Sequence, residues 1–321
     1  MKVNTVSGQI DTKDLGFTLM HEHIINIDWC WVKAFKDFYD EESVVKMFCE
    51  EAAELKALGV KTFVDATPIS LGRDIDLLRK CAERAEINII ACTGLYWTEA
   101  PFYHWNVTPQ TFADYMIYEY EHGMEGTDSK PAFLKCASMA DPGETKINEC
   151  MLRGIAIAHK ATGLPVYTHT DPFHPIGLWQ KKIFEEEGVD MTKVAFGHAF
   201  GLNKDYNEEL FSGGSFVGND QAAFVPDEKM PRAASKIVDA VNRGRVKQIF
   251  ISTDSAVRSD FGNALTDYVR DREKNSLVKN HQRIHSLFEV LIPELKKQGL
   301  SDEDLNEIFV NNPRRYFGEE L

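Results

Sequence analysis

Short apolar runs alternate with longer amphipathic segments along the chain. The runs KTFVDA, NIIACT, PVYTH and QIFIST are nearly continuous in apolar residues, which is typical of parallel strands buried on both faces. The pattern predicts strands at residues 17–23, 60–66, 88–93, 132–137, 165–170, 193–198, 215–220 and 248–254. Segments of helical period lie between them, at residues 42–58, 74–85, 111–122, 145–162, 178–187 and 233–243.

Eight strands that alternate with helices predict either a closed (β/α)₈ barrel or an open doubly wound sheet. No linker, repeat or low-complexity stretch divides the sequence, so residues 1–321 are predicted to form a single domain. Neither a GxGxxG nor a GxxxxGK(S/T) motif follows an early strand, which disfavours a dinucleotide-binding or P-loop protein.

The ends of the predicted strands favour the closed barrel. Side chains able to bind metal lie at the C-terminal ends of the first, fourth, fifth, sixth and eighth strands, as His21-Glu22-His23, Lys135, His169, His198 and Asp254. In a closed barrel those ends meet at one mouth, where such enzymes carry their active sites. An open sheet would separate the first strand from the eighth, unless the strand order brought them together. The sequence therefore predicts a TIM barrel with a metal site at its mouth.

The four histidines argue for the metal. Residues two apart in a strand face the same side, so His21 and His23 can bind one ion while Glu22 faces away. Taken singly, His169 or His198 is more often a core residue bonded to a backbone carbonyl than a metal ligand, and the HxH pattern alone is a weak signal. Four imidazoles crowded at the ends of three strands are costly without a partner, and a cation removes that cost.

Lys135 and Asp254 complete the set. A lysine inside the apolar run PAFLKCAS is rare and expensive, so Lys135 either pairs with a buried carboxylate or has a pKa lowered by desolvation. A neutral amine can take up carbon dioxide as a carbamate, whose two oxygens can bridge two cations. Asp254 alone would be explained as a helix N-cap or loop-start carboxylate; beside the histidines, it is predicted to be a ligand.

These residues together resemble the amidohydrolase superfamily and, within it, the phosphotriesterase-like family. The N-terminal segment VNTVSGQIDTKDLGFTLMHEH is similar to the N-terminal sequence of that family. The segments CTGLYW, GLPVYTHT, VAFGH and NNPRRYFG are similar to later parts of the family sequence. The resemblance spans nearly the whole chain. It implies a short N-terminal β-hairpin that leads into the first barrel strand.

The resemblance also implies a binuclear centre with two divalent cations. It assigns His21, His23 and Asp254 to the buried ion and His169 and His198 to the exposed one, with carboxylated Lys135 and a hydroxide bridging the two. Some relatives have glutamate where this chain has lysine. A histidine-rich site suits zinc, with manganese, cobalt and iron as alternatives.

The implied catalytic residues are Asp254 and Tyr96. Tyr96 resembles the family tyrosine that faces the metals and would donate to the substrate oxygen, while Asp254 would pass a proton to the leaving group. Lactone ring opening is the leading predicted reaction, with sugar lactones and phosphorylated sugar lactones among the candidates. The alternatives are phosphotriester hydrolysis and a non-catalytic binding protein on the same barrel. Gln221 follows Asp220 where acyl-homoserine lactonases usually have arginine, which disfavours that subgroup.

Substrate contacts are harder to predict. The loop after the first strand contributes the aromatics Trp29, Trp31, Phe35, Phe38 and Tyr39, which either line the mouth or pack against the rim. Trp29 is the predicted substrate contact among them. Three cationic residues in loops of the same face would bind a substrate anion or remain solvated: Lys229, Arg232 and Arg258.

Composition limits the partners. The chain has 36 basic and 50 acidic residues and a net charge of −14, which disfavours binding to nucleic acid or anionic membranes. Six cysteines without CxxC pairing, and an N-terminus without a long apolar stretch, predict a cytoplasmic protein. No apolar run is long enough to span a bilayer. The expected partner is a small-molecule substrate, and the resemblance indicates a homodimer.

Overall fold

The chain begins with a small antiparallel hairpin that precedes the main sheet. The computed structural model describes residues 1–35, 40–96, 106–140, 145–259 and 284–321. Strand β1 (Lys2–Thr5) pairs with β2 (Gly8–Asp11), and the turn uses Gly8 at a φ of 116°, a conformation that favours glycine. The N-terminal hairpin implied by the sequence resemblance is therefore confirmed.

Eight parallel strands follow and form the main sheet. They are β3 (Phe17–Asn26), β4 (Val60–Asp65), β5 (Asn88–Gly94), β6 (Phe133–Ala137), β7 (Val166–His169), β8 (Val194–Gly197), β9 (Phe216–Asn219) and β10 (Ile249–Ile251). Each strand is hydrogen-bonded to the next along the chain. All eight predicted strands are confirmed, with their ends within three residues of the predicted positions.

The segment after β10 closes the sheet into a barrel. The backbone nitrogen of Asp254 donates to the carbonyl oxygen of His21 at 3.0 Å, and that of His23 donates to Ser255 at 2.8 Å. A further strand that the pattern did not predict, β11 (Ala256–Ser259), then runs parallel to the end of β3. The first strand is thereby joined to the last, and the fold is a (β/α)₈ barrel as predicted.

Helices cover the outside of the barrel. Those in the described ranges are α1 (Trp29–Ala34), α2 (Glu41–Ala57), α3 (Ile75–Ala85), α4 (Pro109–His122), α5 (Lys146–Thr162), α6 (Ile176–Glu186), α7 (Lys204–Phe211), α8 (Met230–Asn242), α9 (Ile292–Lys297), α10 (Asp302–Asn306) and α11 (Asn312–Tyr316). All six predicted helices are confirmed. The pattern did not predict the shorter helices α1, α7, α9, α10 and α11. In α7, Asn203 caps the first turn by accepting from the Tyr206 nitrogen. Within these ranges no helix has the length and apolarity to cross a membrane.

Aromatic side chains fill the interior of the barrel. Phe216 and Phe250 stack with ring centroids 4.6 Å apart, and Tyr316 of α11 meets Phe250 edge-on at 5.4 Å. These rings are buried together with Phe133 and Tyr167 in one apolar cluster inside the barrel. A second, larger cluster lies between the barrel and its helices. Polar groups gather instead at the C-terminal ends of the strands, which is where the predicted ligands lie.

Candidate metal centre and active site

The six predicted ligands come together at the C-terminal mouth of the barrel. A cavity of about 300 Å³ opens there, and the described residues that line it are His21, His23, Asn26, Leu71, Tyr96, Lys135, His169, Gln221, Phe224 and Asp254. His198 lies beside this cavity, because its ring centroid is 4.2 Å from that of His169. The first, fourth, fifth, sixth and eighth barrel strands therefore contribute to one site.

His21, His23 and Asp254 form a compact donor set. Their ligand atoms lie within 4.8 Å of one another. Oδ1 of Asp254 is 3.2 Å from Nε2 of His23 and 3.6 Å from Nε2 of His21. The other ring nitrogen of His23, Nδ1, lies 2.7 Å from the hydroxyl of Thr67, which fixes the ring and turns Nε2 toward the cavity.

His169 and His198 form the second half of the site. Nε2 of His198 is 3.7 Å from Oδ2 of Asp254, and it is buried without a hydrogen-bond partner in the described part of the chain. A buried imidazole nitrogen without a partner is costly, and a cation beside it removes that cost. Burial lowers the pKa of His169 well below its usual value, so its imidazole is neutral, as a metal ligand must be. These donors fit a divalent metal.

Lys135 is buried in β6 against the first histidine. Its Nζ lies 3.1 Å from Nε2 of His21 and 5.1 Å from the ring centre of Tyr167, and its side chain is only 1% exposed. None of the carboxylates in the described ranges forms an ion pair with it. Burial lowers the pKa of Lys135, and burial together with Lys135 lowers that of His21 to about 3. Of the two explanations offered for this lysine, the geometry favours the desolvated amine over the buried ion pair.

Two of these residues have strained backbones. His198 has a φ of 60° and Asp254 a φ of 57°, both in the left-handed region that non-glycine residues seldom adopt. Such strain persists only where the surroundings hold it, and it tends to occur at functional sites. Each of the two lies at the point where a barrel strand ends and its loop begins.

Glu22 holds the backbone around Asp254. Its carboxylate accepts hydrogen bonds from the Ser252 hydroxyl at 2.7 Å, the Thr253 nitrogen at 2.8 Å and the Ser255 nitrogen at 2.9 Å. Burial raises the pKa of Glu22 to about 8. The prediction that Glu22 points away from the metal site is confirmed, but its hydrogen bonds that join β3 to the segment between β10 and β11 were not predicted.

Asp220 is a second functional residue that the sequence reasoning missed. Its Oδ1 accepts from the backbone nitrogen of His198 at 2.7 Å and from Nδ1 of that ring at 2.9 Å. Its Oδ2 accepts from Nδ1 of His21 at 2.9 Å and from the Tyr167 hydroxyl at 2.7 Å. A carboxylate has about four acceptor positions, and all four are occupied by these hydrogen bonds, which hold both imidazole rings in place.

Three further side chains contact the site. The hydroxyl of Tyr96 lies 3.5 Å from Nδ1 of His169, which places the predicted catalytic tyrosine at the cavity wall. Gln221 donates from Nε2 to Oδ2 of Asp254 at 3.2 Å. The thioether sulfur of Met139 lies 3.1 Å from Nε2 of His169. No sequence motif predicted this contact.

The predicted substrate contacts do not line the cavity in the described part of the chain. Lys229 and Arg232 are exposed at the start of α8, and Arg258 is buried in β11 with 8% of its surface exposed. The backbone of Trp29 begins α1, but its side chain lies outside the described part, as does that of Trp31. Phe35 packs against the main apolar cluster, and residues 38 and 39 also lie outside the described ranges.

A barrel whose mouth gathers four histidines, a desolvated lysine and an aspartate defines a metal-dependent hydrolase. The sequence model of the phosphotriesterase family matches residues 1–317. The chain belongs to the phosphotriesterase family.

Named relatives and a solved structure agree with this assignment. The chain is 35% identical to the phosphotriesterase homology protein of Mycobacterium tuberculosis, over 98% of this chain and 97% of that protein. It is 34% identical to an aryldialkylphosphatase of Saccharolobus solfataricus, over 96% of each chain. A solved structure of the phosphotriesterase from Mycobacterium tuberculosis matches with a TM-score of 0.88 and 34% identity, covering 99% of this chain and 98% of that one.

Proposed function

We propose that this hydrolase opens the ring of a small, uncharged lactone. The observation that carries the proposal is the chemistry of the cavity wall. Among the lining residues that the structure describes, Lys135 is the only lysine or arginine, and it lies within the metal site. The rest of the wall is neutral, with Asn26, Leu71, Gln221 and Phe224 beside the ligands. A neutral wall favours an uncharged sugar lactone or aliphatic lactone over a phosphorylated one.

The size of the cavity supports the same substrate class. About 300 Å³ is at the lower end of the range for small-molecule pockets, which is adequate for a five- or six-membered ring with short substituents. Phe224 and Leu71 offer apolar surface, while Asn26 and Gln221 offer amide groups for ring hydroxyls or the ring oxygen. Gln221, a neutral residue, also occupies the position where acyl-homoserine lactonases would have arginine.

The ligand assignment follows the two halves of the site. In this proposal His21, His23 and Asp254 would hold one cation, His169 and His198 would hold the other, and carboxylated Lys135 would contribute to both. Zinc suits this histidine-rich set. When bound, two such cations lower the pKa of water toward neutrality and polarise the oxygen of the substrate carbonyl.

In this proposal Asp254 transfers the proton, and Tyr96 stabilises the negative charge that develops on the substrate. Gln221 holds Oδ2 of Asp254, so the carboxylate faces the cavity in a fixed orientation, ready to accept a proton from water and deliver it to the leaving alkoxide. The Tyr96 hydroxyl is at the cavity wall next to His169, where it can donate a hydrogen bond to the carbonyl oxygen as negative charge develops there. Ring opening then gives a hydroxy acid.

Phosphotriester hydrolysis is the second candidate. It is favoured by the 34% identity to a protein named aryldialkylphosphatase over 96% of both chains. The same ligands and the same aspartate would serve a phosphoryl centre, because two cations can stabilise the attacking and leaving oxygens of either reaction.

The test is a comparison of kcat/KM for one metal-loaded preparation on three substrate classes: uncharged lactones, phosphorylated sugar lactones and an aryl phosphotriester. We expect kcat/KM to be highest for the uncharged lactones. Asp254→Asn should lower the rate, because it removes the carboxylate that carries the proton. Asp76→Asn, a change at an exposed aspartate on α3, is the matched control and should keep the wild-type rate. A preparation with two metals that prefers the phosphotriester would promote the second candidate, and preference for the phosphorylated lactone would contradict the neutral-wall argument.

Three expectations about the whole molecule stay predictions. These are a single domain over residues 1–321, a cytoplasmic location and a homodimer. The second is supported by five free thiols in the described part of the chain. Size-exclusion chromatography with light scattering tests the homodimer.

A further inference from the structure

One buried carboxylate lies between the two halves of the metal site. Asp220 follows β9 and is 0% exposed. Each of its oxygens contacts a different ring: Oδ2 is 2.9 Å from Nδ1 of His21, and Oδ1 is 2.9 Å from Nδ1 of His198. In the ligand assignment proposed above, these two rings belong to different cations.

The contacts with Asp220 set the tautomers of both rings. A carboxylate only accepts, so each Nδ1 carries a proton, and in the neutral ring that metal binding requires, Nε2 keeps its lone pair for the cavity. The two Nε2 atoms approach Asp254 from its two sides, at 3.6 Å from Oδ1 for His21 and at 3.7 Å from Oδ2 for His198. Asp220 therefore points two lone pairs at the place where the cations would lie.

The barrel leaves room for this carboxylate through two glycines. A Cβ atom at Gly218 would lie 2.7 Å from Oδ2 of Asp220, and one at Gly197 would lie 2.9 Å from the same oxygen. Real Cβ atoms essentially never approach so closely. The Tyr167 hydroxyl completes the enclosure at 2.7 Å. Three neighbouring strands thus contribute to holding one side chain.

We propose that Asp220 is a positioning residue shared by both metal positions, so that its loss weakens the binding of both cations together. The proposal rests on the function proposed above. Partners that orient a metal ligand typically change metal affinity by about 10- to 100-fold. Because each oxygen serves the ligand of a different cation, both binding constants should fall. A carboxylate that served one histidine would alter only one constant.

The experiment is a titration of the metal-free protein with Zn²⁺, followed by competition with a chromophoric chelator. Wild type should show two binding events. Asp220→Ala should weaken both by about 10- to 100-fold. Gly218→Ala keeps the carboxylate but displaces it, and should weaken both in the same direction. Tyr167→Phe removes a donor to Asp220 and leaves both carboxylate–imidazole contacts in place, so it should change both constants much less than Asp220→Ala does.

The outcomes distinguish a failure of the shared role of Asp220 from a failure of the proposed function. A wild type that binds fewer than two ions would contradict the proposed function itself. Two ions in wild type, with one constant or none changed in Asp220→Ala, would overturn the shared role alone. Thermal unfolding of the metal-free variants supplies the structural readout, because a purely structural aspartate would lower Tm without changing the Zn²⁺ constants of the folded protein. If Asp220→Ala fails to fold, Gly218→Ala is judged by the same criterion.

Discussion

The side-chain nitrogen of Lys135 lies 3.1 Å from Nε2 of His21, with both residues almost fully buried. Two nitrogens this close are compatible only if at least one is uncharged. Burial lowers the pKa of both groups, which disfavours the charged form of each. An amine in this position can form a carbamate with carbon dioxide.

Metal reconstitution should therefore depend on bicarbonate. The metal-free enzyme should regain activity faster or more fully when bicarbonate accompanies the metal. Lys135→Ala should lose metal and activity together, and short carboxylic acids should partly restore both by replacing the carbamate. Metal content and rate, measured on the same samples, check this prediction. Full activity with both metals in Lys135→Met would make the lysine a structural residue.

Metal stoichiometry gives a second prediction. The purified protein should contain close to two divalent metals per chain, since the donors divide into two groups around Asp254. His21→Ala and His198→Ala should each lower that number, and extended chelation should abolish the activity until metal is returned. Elemental analysis beside the hydrolysis rate measures both effects. An enzyme that is free of metal yet fully active would contradict the binuclear site.

Asp254→Asn should separate chemistry from metal binding. The amide keeps the shape and one oxygen donor but cannot carry a proton, so much of the metal should stay while kcat falls by about 10²- to 10⁴-fold. The loss should be larger for aliphatic lactones, whose leaving alkoxide needs a proton, than for an aryl phosphotriester. Parallel kinetics on the two substrates with Asp76→Asn as control measure the difference. An equal loss on both would show that Asp254 acts only as a ligand.

Glu22 should make the stability of the metal-free protein depend on pH. Burial raises the pKa of Glu22 from an ordinary value of 4.5 to about 8, so the folded state binds this proton more tightly than the unfolded chain does. Stability should therefore fall as pH rises through this interval, by up to about 1.4 kcal/mol per pH unit. Glu22→Gln does not titrate and should flatten the decline. Denaturant unfolding from pH 5 to pH 8 in the presence of chelator measures it.

Glu319 offers a control of opposite sign. Its hydrogen bond with Arg314 lowers the pKa of Glu319 to about 2, so its contribution is complete above its ordinary pKa of 4.5 and is lost only as pH falls below that value. Glu319→Gln should leave the slope between pH 5 and pH 8 unchanged. An unchanged slope in Glu22→Gln, by contrast, would mean that Glu22 is ionised in the folded protein throughout this range.

The features that sequence predicted well are those with a local signal. An apolar run that ends in a histidine or aspartate identifies a buried strand and its C-terminal end at once. For this reason the eight strands were predicted correctly, and the six candidate ligands were chosen from strand positions that the structure brings together. Lys135 was noticeable for the same reason, as a charge inside an apolar run. The short helix α7 (Lys204–Phe211) was missed because eight residues contain too few turns for a clear helical period.

The features that were missed depend on contacts between distant parts of the chain. Asp220 reaches a histidine 199 positions away, and Glu22 reaches a hydroxyl 230 positions away. The neighbours of these two carboxylates in sequence do not indicate which groups each of them contacts. In the sequence Gly218 is an ordinary strand glycine, and only the structure shows that a Cβ atom there would collide with the Asp220 carboxylate. Pairings of this kind require the closed barrel before they can be recognised.

The join between β3 and the segment after β10 also bears on how the protein is made. His21 and Ser252, hydrogen-bonded across that join, are 231 positions apart. At typical synthesis rates, roughly 10 to 50 seconds separate their emergence from the ribosome. During that interval the nascent chain carries histidines from the first strand but none of the carboxylate ligand that completes their site. The donor set of His21, His23 and Asp254 is therefore complete only late in synthesis, after Asp254 has left the ribosome.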